Sequence, residues 1–283
     1  MASCKPIPLA FKVFEASKDI NENNPIIFLH GLGAAKEHWN DIPQKVAEAT
    51  HRRVYAIDAR NHGDSAWTDE FNFDLNAVDL MHFIDQIAAE KVTIVGHSMG
   101  GVTCMKTALK IPSKVHKVII EDIGIVIPKD VYGFIKLIFS LFQEALSNMQ
   151  AGSTNKDTSK FFDFVYERIP DEIKPLIKRS DEHFKQFMKQ NPDGSVNFRA
   201  NFKGISKTLE SEDTLVSEYE GVYDGPTCFI CGEKSMFPVK QDAENIKKFF
   251  PNAQFISIKG TTHDVHTEEP QLYLDTLLKF LKE

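Results

Sequence analysis

Along the first 122 residues, short apolar runs rich in β-branched side chains alternate with longer stretches of helical periodicity. The runs at 9–16, 25–30, 53–58, 92–95 and 117–121 predict strands. Apolar positions at three- and four-residue spacing predict helices at 39–49, 75–89 and 101–109. The 25–30 and 92–95 runs are apolar on both faces, as strands covered on both sides are. This alternation predicts an α/β protein with a mostly parallel sheet and helices on both faces.

The rhythm stops at about residue 125. From there to 219 the pattern is helical without strands, notably at 131–142 and 161–168. A polar loop at 152–159 and the turn Asn191-Pro192-Asp193-Gly194 separate these stretches. After Pro226 the alternation resumes, with strands at 227–231 and 254–258 and helices at 239–250 and 271–281. The chain therefore reads as a core of residues 1–124 and 220–283, with 125–219 inserted as a helical cap that does not fold independently.

Composition narrows the class. The 283 residues suffice for a full core, and 42% hydrophobic with 26% charged residues is ordinary for a globular protein. A formal charge of −7 argues against a nucleic-acid partner, which needs a basic face. Neither a signal peptide nor an arginine-rich presequence is visible, so a cytoplasmic protein is expected. The 131–142 run is too short to span a bilayer and is interrupted by Gly133 and Lys136. Of the four cysteines, Cys228 and Cys231 form a C-x-x-C, but their odd spacing on a strand points them to opposite faces. Trp39 and Cys104 read as packing residues, and the mixed charges of 174–189 as a solvated helix face.

The chemistry centres on Gly96-His97-Ser98-Met99-Gly100, a G-x-S-x-G between a predicted strand and a predicted helix. Glycines on both sides permit a sharp turn that exposes the Ser98 hydroxyl above the sheet as a nucleophile. His30-Gly31-Leu32-Gly33 ends another buried strand, where backbone N–H groups can face the space beside that serine. The amides of Leu32 and Met99 are assigned as the oxyanion hole. After the last strand comes Gly260-Thr261-Thr262-His263-Asp264-Val265-His266. His263, nearer the strand end, is the candidate base, and His266 the structural member of the pair.

These motifs, with Asp58-Ala59-Arg60-Asn61-His62-Gly63-Asp64-Ser65 and His263-x-x-His266-x-Glu268-x-Pro270, resemble the α/β-hydrolase superfamily over about 25–281. The Asp58-to-Ser65 string is most similar to the branch of α/β-hydrolase domain-containing protein 11 and its bacterial esterase relatives. The resemblance implies an eight-stranded, mostly parallel sheet with the cap after the sixth strand, esterase-type chemistry and no cofactor or metal. It also implies that His263 is the catalytic histidine and that the Asp58-to-Ser65 loop is architectural. Resemblance to the mammalian branch suggests the mitochondrial matrix as an alternative location.

One position departs from the family pattern. Its usual acid follows the strand at 227–231 in a G-x-x-D, but this chain reads Gly232-Glu233-Lys234-Ser235. Asp122, at the end of the strand after the elbow strand, is the best substitute, with Glu121 and Glu233 as alternatives and a poor catalyst without a working acid as the remaining reading. Glu121 should point away from Asp122 on a strand, which weakens its case.

The insertion carries Phe134, Phe139, Phe142, Phe161, Phe162, Phe164, Phe184, Phe187, Phe198 and Phe202. Most are expected to pack the cap, and the rest to line an apolar pocket for an acyl or aromatic group. Membrane-surface contact through 131–142, or a protein partner on the cap, are further readings. The expected function is a serine hydrolase of carboxylic esters or thioesters. Lipase, amidase or C–C bond hydrolase chemistry, or a slow-turnover ligand receptor or protein-stabilising partner, are the alternatives.

Overall fold

The computed structural model describes residues 5–18, 21–148, 155–172, 174, 187–191, 193, 196–209 and 218–283. The first part of the chain forms β1 (Phe11–Phe14), β2 (Asn21–Leu29), α1 (Ile42–Thr50), β3 (Arg52–Ile57), α2 (Phe73–Gln86), β4 (Val92–His97), α3 (Met99–Lys110) and β5 (Val115–Glu121). The insertion follows as α4 (Lys129–Asn148), α5 (Asn155–Arg168), β6 (Met188–Gln190), β7 (Val196–Phe198) and α6 (Phe202–Leu209). The last part forms β8 (Thr227–Gly232), α7 (Ala243–Phe249), β9 (Ala253–Ile258), α8 (Val265–Glu268) and α9 (Pro270–Lys282).

Seven strands build the main sheet in the order β1-β3-β2-β4-β5-β8-β9. All neighbours are parallel except β1, which pairs antiparallel with β3. The main sheet has seven described strands, one fewer than the eight the family pattern implies, so the cap follows the fifth strand rather than the sixth. Residues 5–10 form no strand, and Pro6 and Pro8 there lack the N–H a ladder needs.

Strand alternation splits the core in two. Ile27, Leu29, Ile94, Val118, Ile120, Phe229 and Cys231 face α2 and α3, with Leu80, Phe83, Val102 and Met105 packed on them. Ile26, Phe28, Val95, Ile119, Cys228 and Ile230 face α1 and α9, meeting Trp39, Val46, Tyr273 and Leu277. Cys228 and Cys231 thus occupy opposite layers, and both are free thiols.

The first core layer continues into the cap through Val131, Phe139, Phe142, Phe161, Val165 and Ile205. The cap is not purely helical: β6 and β7 form an antiparallel hairpin around the expected turn. α5 also begins at Asn155, inside the stretch expected to be a loop. The hairpin is stitched to the 59–64 loop. Asn201 N donates to Asn61 O at 2.8 Å, and His62 bridges Ala200. Lys189 Nζ lies 2.6 Å from Asp64 Oδ1, and Arg199 Nη1 lies 2.9 Å from Glu37 Oε2. Phe184 and most of the charged run 174–189 lie outside the described residues.

Candidate active site

Ser98 stands between the last residue of β4 and the first of α3 with φ 52° and ψ −115°, a conformation side chains other than glycine rarely adopt. The glycines make this approach geometrically feasible. A Cβ on Gly96 would lie 2.3 Å from Gly100 O, and one on Gly100 would lie 2.2 Å from Leu29 O. Met99 opens α3, so its N–H has no acceptor within the helix.

Leu32 lies in the turn closed by Ala34 N donating to Gly31 O at 3.2 Å. His62, 29 residues away, props this turn: its Nε2 accepts from Gly33 N at 3.0 Å, and its Nδ1 donates to Arg60 O at 2.7 Å. Burial pushes His62 down to about 3, so the ring stays neutral, as this tautomer requires. The 58–65 loop is therefore architectural in a specific way, because it fixes the turn that carries the Leu32 amide. Nothing in the spacing of these residues announces that link.

Backbone pairing sets His97 beside Glu121, so Ser98 and Asp122 follow at equivalent positions on adjacent strands. Asp122 also has a positive φ, 53°, and is fully buried. Its Oδ2 lies 2.8 Å from Nδ1 of His263, and its Oδ1 accepts from Gly232 N at 2.9 Å. Ser235, which holds the family's usual acid position, donates its hydroxyl to Oδ2 of Asp122 and accepts from Phe237 N at 3.0 Å. The serine at the family's usual acid position is thus a donor to the carboxylate that meets His263.

Burial by itself would depress His263, but its hydrogen bond to Asp122 and that residue's charge hold it above 6.5. Burial pushes the Asp122 carboxyl up against the opposing pull of His263, Ser235 and Gly232. The ring of His263 also stacks on Phe237, with centroids 4.4 Å apart and planes at 27°.

Glu121 serves the other histidine. Its Oε1 lies 2.8 Å from His266 Nδ1 and accepts from His266 N at 2.9 Å, with both side chains fully buried. His266 packs against Trp39, centroids 4.4 Å apart. Glu233 accepts from Gly260 N at 2.9 Å on the exposed side of the loop. Of the three acids considered, only Asp122 meets His263 among the described contacts.

His38, His97 and Asp264 each bring one ligand atom within 4.8 Å of the others, a grouping that could hold a metal ion by distance alone. Nε2 of His97, however, lies 3.1 Å from the carbonyl oxygen of His263. A carbonyl only accepts, so that nitrogen carries a proton and the ring's remaining lone pair is at Nδ1.

Ser98, Met99, Leu32 and His263 border one cavity of about 200 Å³. Its far walls come from the cap and are apolar: Phe134, Ile135, Ile138, Phe139, Phe142, Val165 and Phe187. The 131–142 stretch, considered above for membrane contact, thus turns much of its apolar side inward. Among the described residues no helix is long and apolar enough to cross a membrane.

The profile of the alpha/beta hydrolase fold matches residues 24–270. The chain belongs to the α/β-hydrolase family. An sn-1-specific diacylglycerol lipase ABHD11 of Danio rerio is 29% identical over 284 residues, covering 100% of this hydrolase and 85% of the relative. Ethanol acetyltransferase 1 of Wickerhamomyces anomalus is 27% identical, covering 98% and 75%. A marine microorganism esterase of solved structure superposes with a TM-score of 0.78 at 27% identity, covering 97% of this chain and 99% of that one. The chain thus resembles the ABHD11 branch and an esterase of solved structure.

Proposed function

We propose that this α/β-hydrolase is a serine esterase or thioesterase that cleaves neutral esters with apolar acyl groups through Ser98, His263 and Asp122. The reading is carried by one observation: the 2.8 Å contact of His263 with buried Asp122, on the cavity that Ser98 borders. Ser98 attacks the acyl carbonyl while His263 takes its proton, and Asp122 holds the imidazole in the Nδ1–H tautomer and steadies its charged form. The Leu32 and Met99 amides stabilise the oxyanion. His263 returns the proton to the leaving group, then activates the water that releases the acid and regenerates Ser98.

Labelling with a fluorophosphonate tests the nucleophile. The intact protein is expected to label and to hydrolyse p-nitrophenyl esters, and Ser98→Ala to do neither. Ester hydrolysis that persists undiminished in Ser98→Ala would overturn the assignment.

A second reading is favoured by the apolar cap lining and by the relative named ethanol acetyltransferase. In it the same acyl-enzyme passes its acyl group to a small alcohol, with His263 deprotonating the alcohol instead of water. Partitioning of the acyl group between acid and ethyl ester in added ethanol distinguishes the two.

A further inference from the structure

His97 is the elbow residue that the proposed chemistry leaves unused, yet it is only 3% exposed. Its ring occupies space that any side chain on Gly31 would need, since a Cβ there would lie 2.7 Å from His97 Nδ1. Nε2 lies 3.1 Å from the carbonyl oxygen of His263, and the two rings are 4.7 Å apart between centroids. The bond requires the Nε2–H tautomer. Consistent with that, Nδ1 is buried and makes no hydrogen bond.

We propose that His97 is a positioning residue: its Nε2–H holds the backbone carbonyl of His263 and so registers the base against the nucleophile next to it in sequence. This rests on the roles assigned above to Ser98 and His263. The base hangs from a loop after β9 that turns at Gly260, where φ is +79°. Asp122 holds the Nδ1 end of its ring and Phe237 one ring face. Neither holds the main chain, which is bonded on both sides of the base: Glu233 accepts from Gly260 N, Lys234 N donates to Thr261 O, and Glu121 accepts from His266 N. At His263 itself the His97 bond holds the main chain, and it ties that point to the residue adjoining Ser98. A displacement of about 1 Å between reacting groups can cost about 10²-fold in rate, so a strap at this point has leverage out of proportion to one hydrogen bond.

The test compares His97→Leu with His97→Gln, whose amide N–H can replace Nε2–H. In His97→Leu the fluorophosphonate labelling rate and kcat are expected to fall about 10- to 100-fold with KM little changed. His97→Gln is expected to recover to within a few-fold of wild type, with the acid limb of the pH–rate profile unmoved. A wild-type rate in His97→Leu, or equal losses in both variants, would overturn the strap. If Ser98→Ala still labelled, the nucleophile reading would fail instead, and a measurement free of activity decides the strap separately. The ¹⁵N shifts of His97 must report protonated Nε2 and bare Nδ1. The opposite tautomer, or a shift of the His97 resonances on adding Zn²⁺ that signals metal ligation, would overturn it too.

Discussion

Glu121 and Asp122 are consecutive residues, yet each serves a different histidine, His266 and His263. The end of β5 divides them, with Asp122 leaving the strand at φ 53°. Asp122→Asn should cut turnover on the order of 10⁴-fold, as the equivalent change does in another Ser–His–Asp triad. The pH profile should move as well. In the proposed mechanism His263 acts as a base only when neutral, and its pKa is raised from 6.5 by Asp122, so activity is expected to rise with pH through a limb above that value. Without the Asp122 charge, burial dominates and the limb moves to lower pH. A pH–rate series on both proteins reads the shift, and an unmoved limb would remove Asp122 from the relay. Ser235→Asp in the Asp122→Asn background refills the usual acid position and should recover part of the lost turnover.

The element that bears on both histidines is the segment from β9 through α8. Its anchor is the buried Glu121–His266 pair, which fixes the first turn of α8 two residues beyond His263. Glu121→Ala leaves a buried imidazole without its partner and should destabilise the fold by about 3–5 kcal/mol in urea denaturation. A loss under 1 kcal/mol would mean the pair is not an anchor. The strands and the elbow were readable from the chain because buried parallel strands and the glycine-bracketed serine leave dense local patterns. The cap hairpin was not, since β6 and β7 have three residues each, too few to show a two-residue period. The carboxylate that meets His263 lay in between: Asp122 was legible as a strand-end acid, but Ser235 signalled only an absence. Its donation to Asp122 joins positions 113 apart in the chain, which periodicity and local motifs do not encode. His62 propping Gly33 was hidden for the same reason.

At the scale of the whole molecule, the core carries the proposed reacting groups and the cap the apolar walls around them. A cavity of about 200 Å³ walled by apolar cap residues has room for an acyl chain. Among p-nitrophenyl esters, kcat/KM should therefore rise from acetyl to medium-length acyl chains and then fall once the chain outgrows the cavity. Phe142→Ala, which opens the wall formed by α4, should move the peak to longer chains; a profile indifferent to this change would place the acyl group elsewhere. The central claim is that the acyl group passes through Ser98. Its most direct measurement is the mass of the protein quenched in acid during turnover of p-nitrophenyl octanoate, followed by peptide mapping. The account predicts an added octanoyl group on the peptide containing Ser98, accumulating further in variants slowed in deacylation. An adduct on another residue, or steady turnover in Ser98→Ala with no adduct at all, would contradict it.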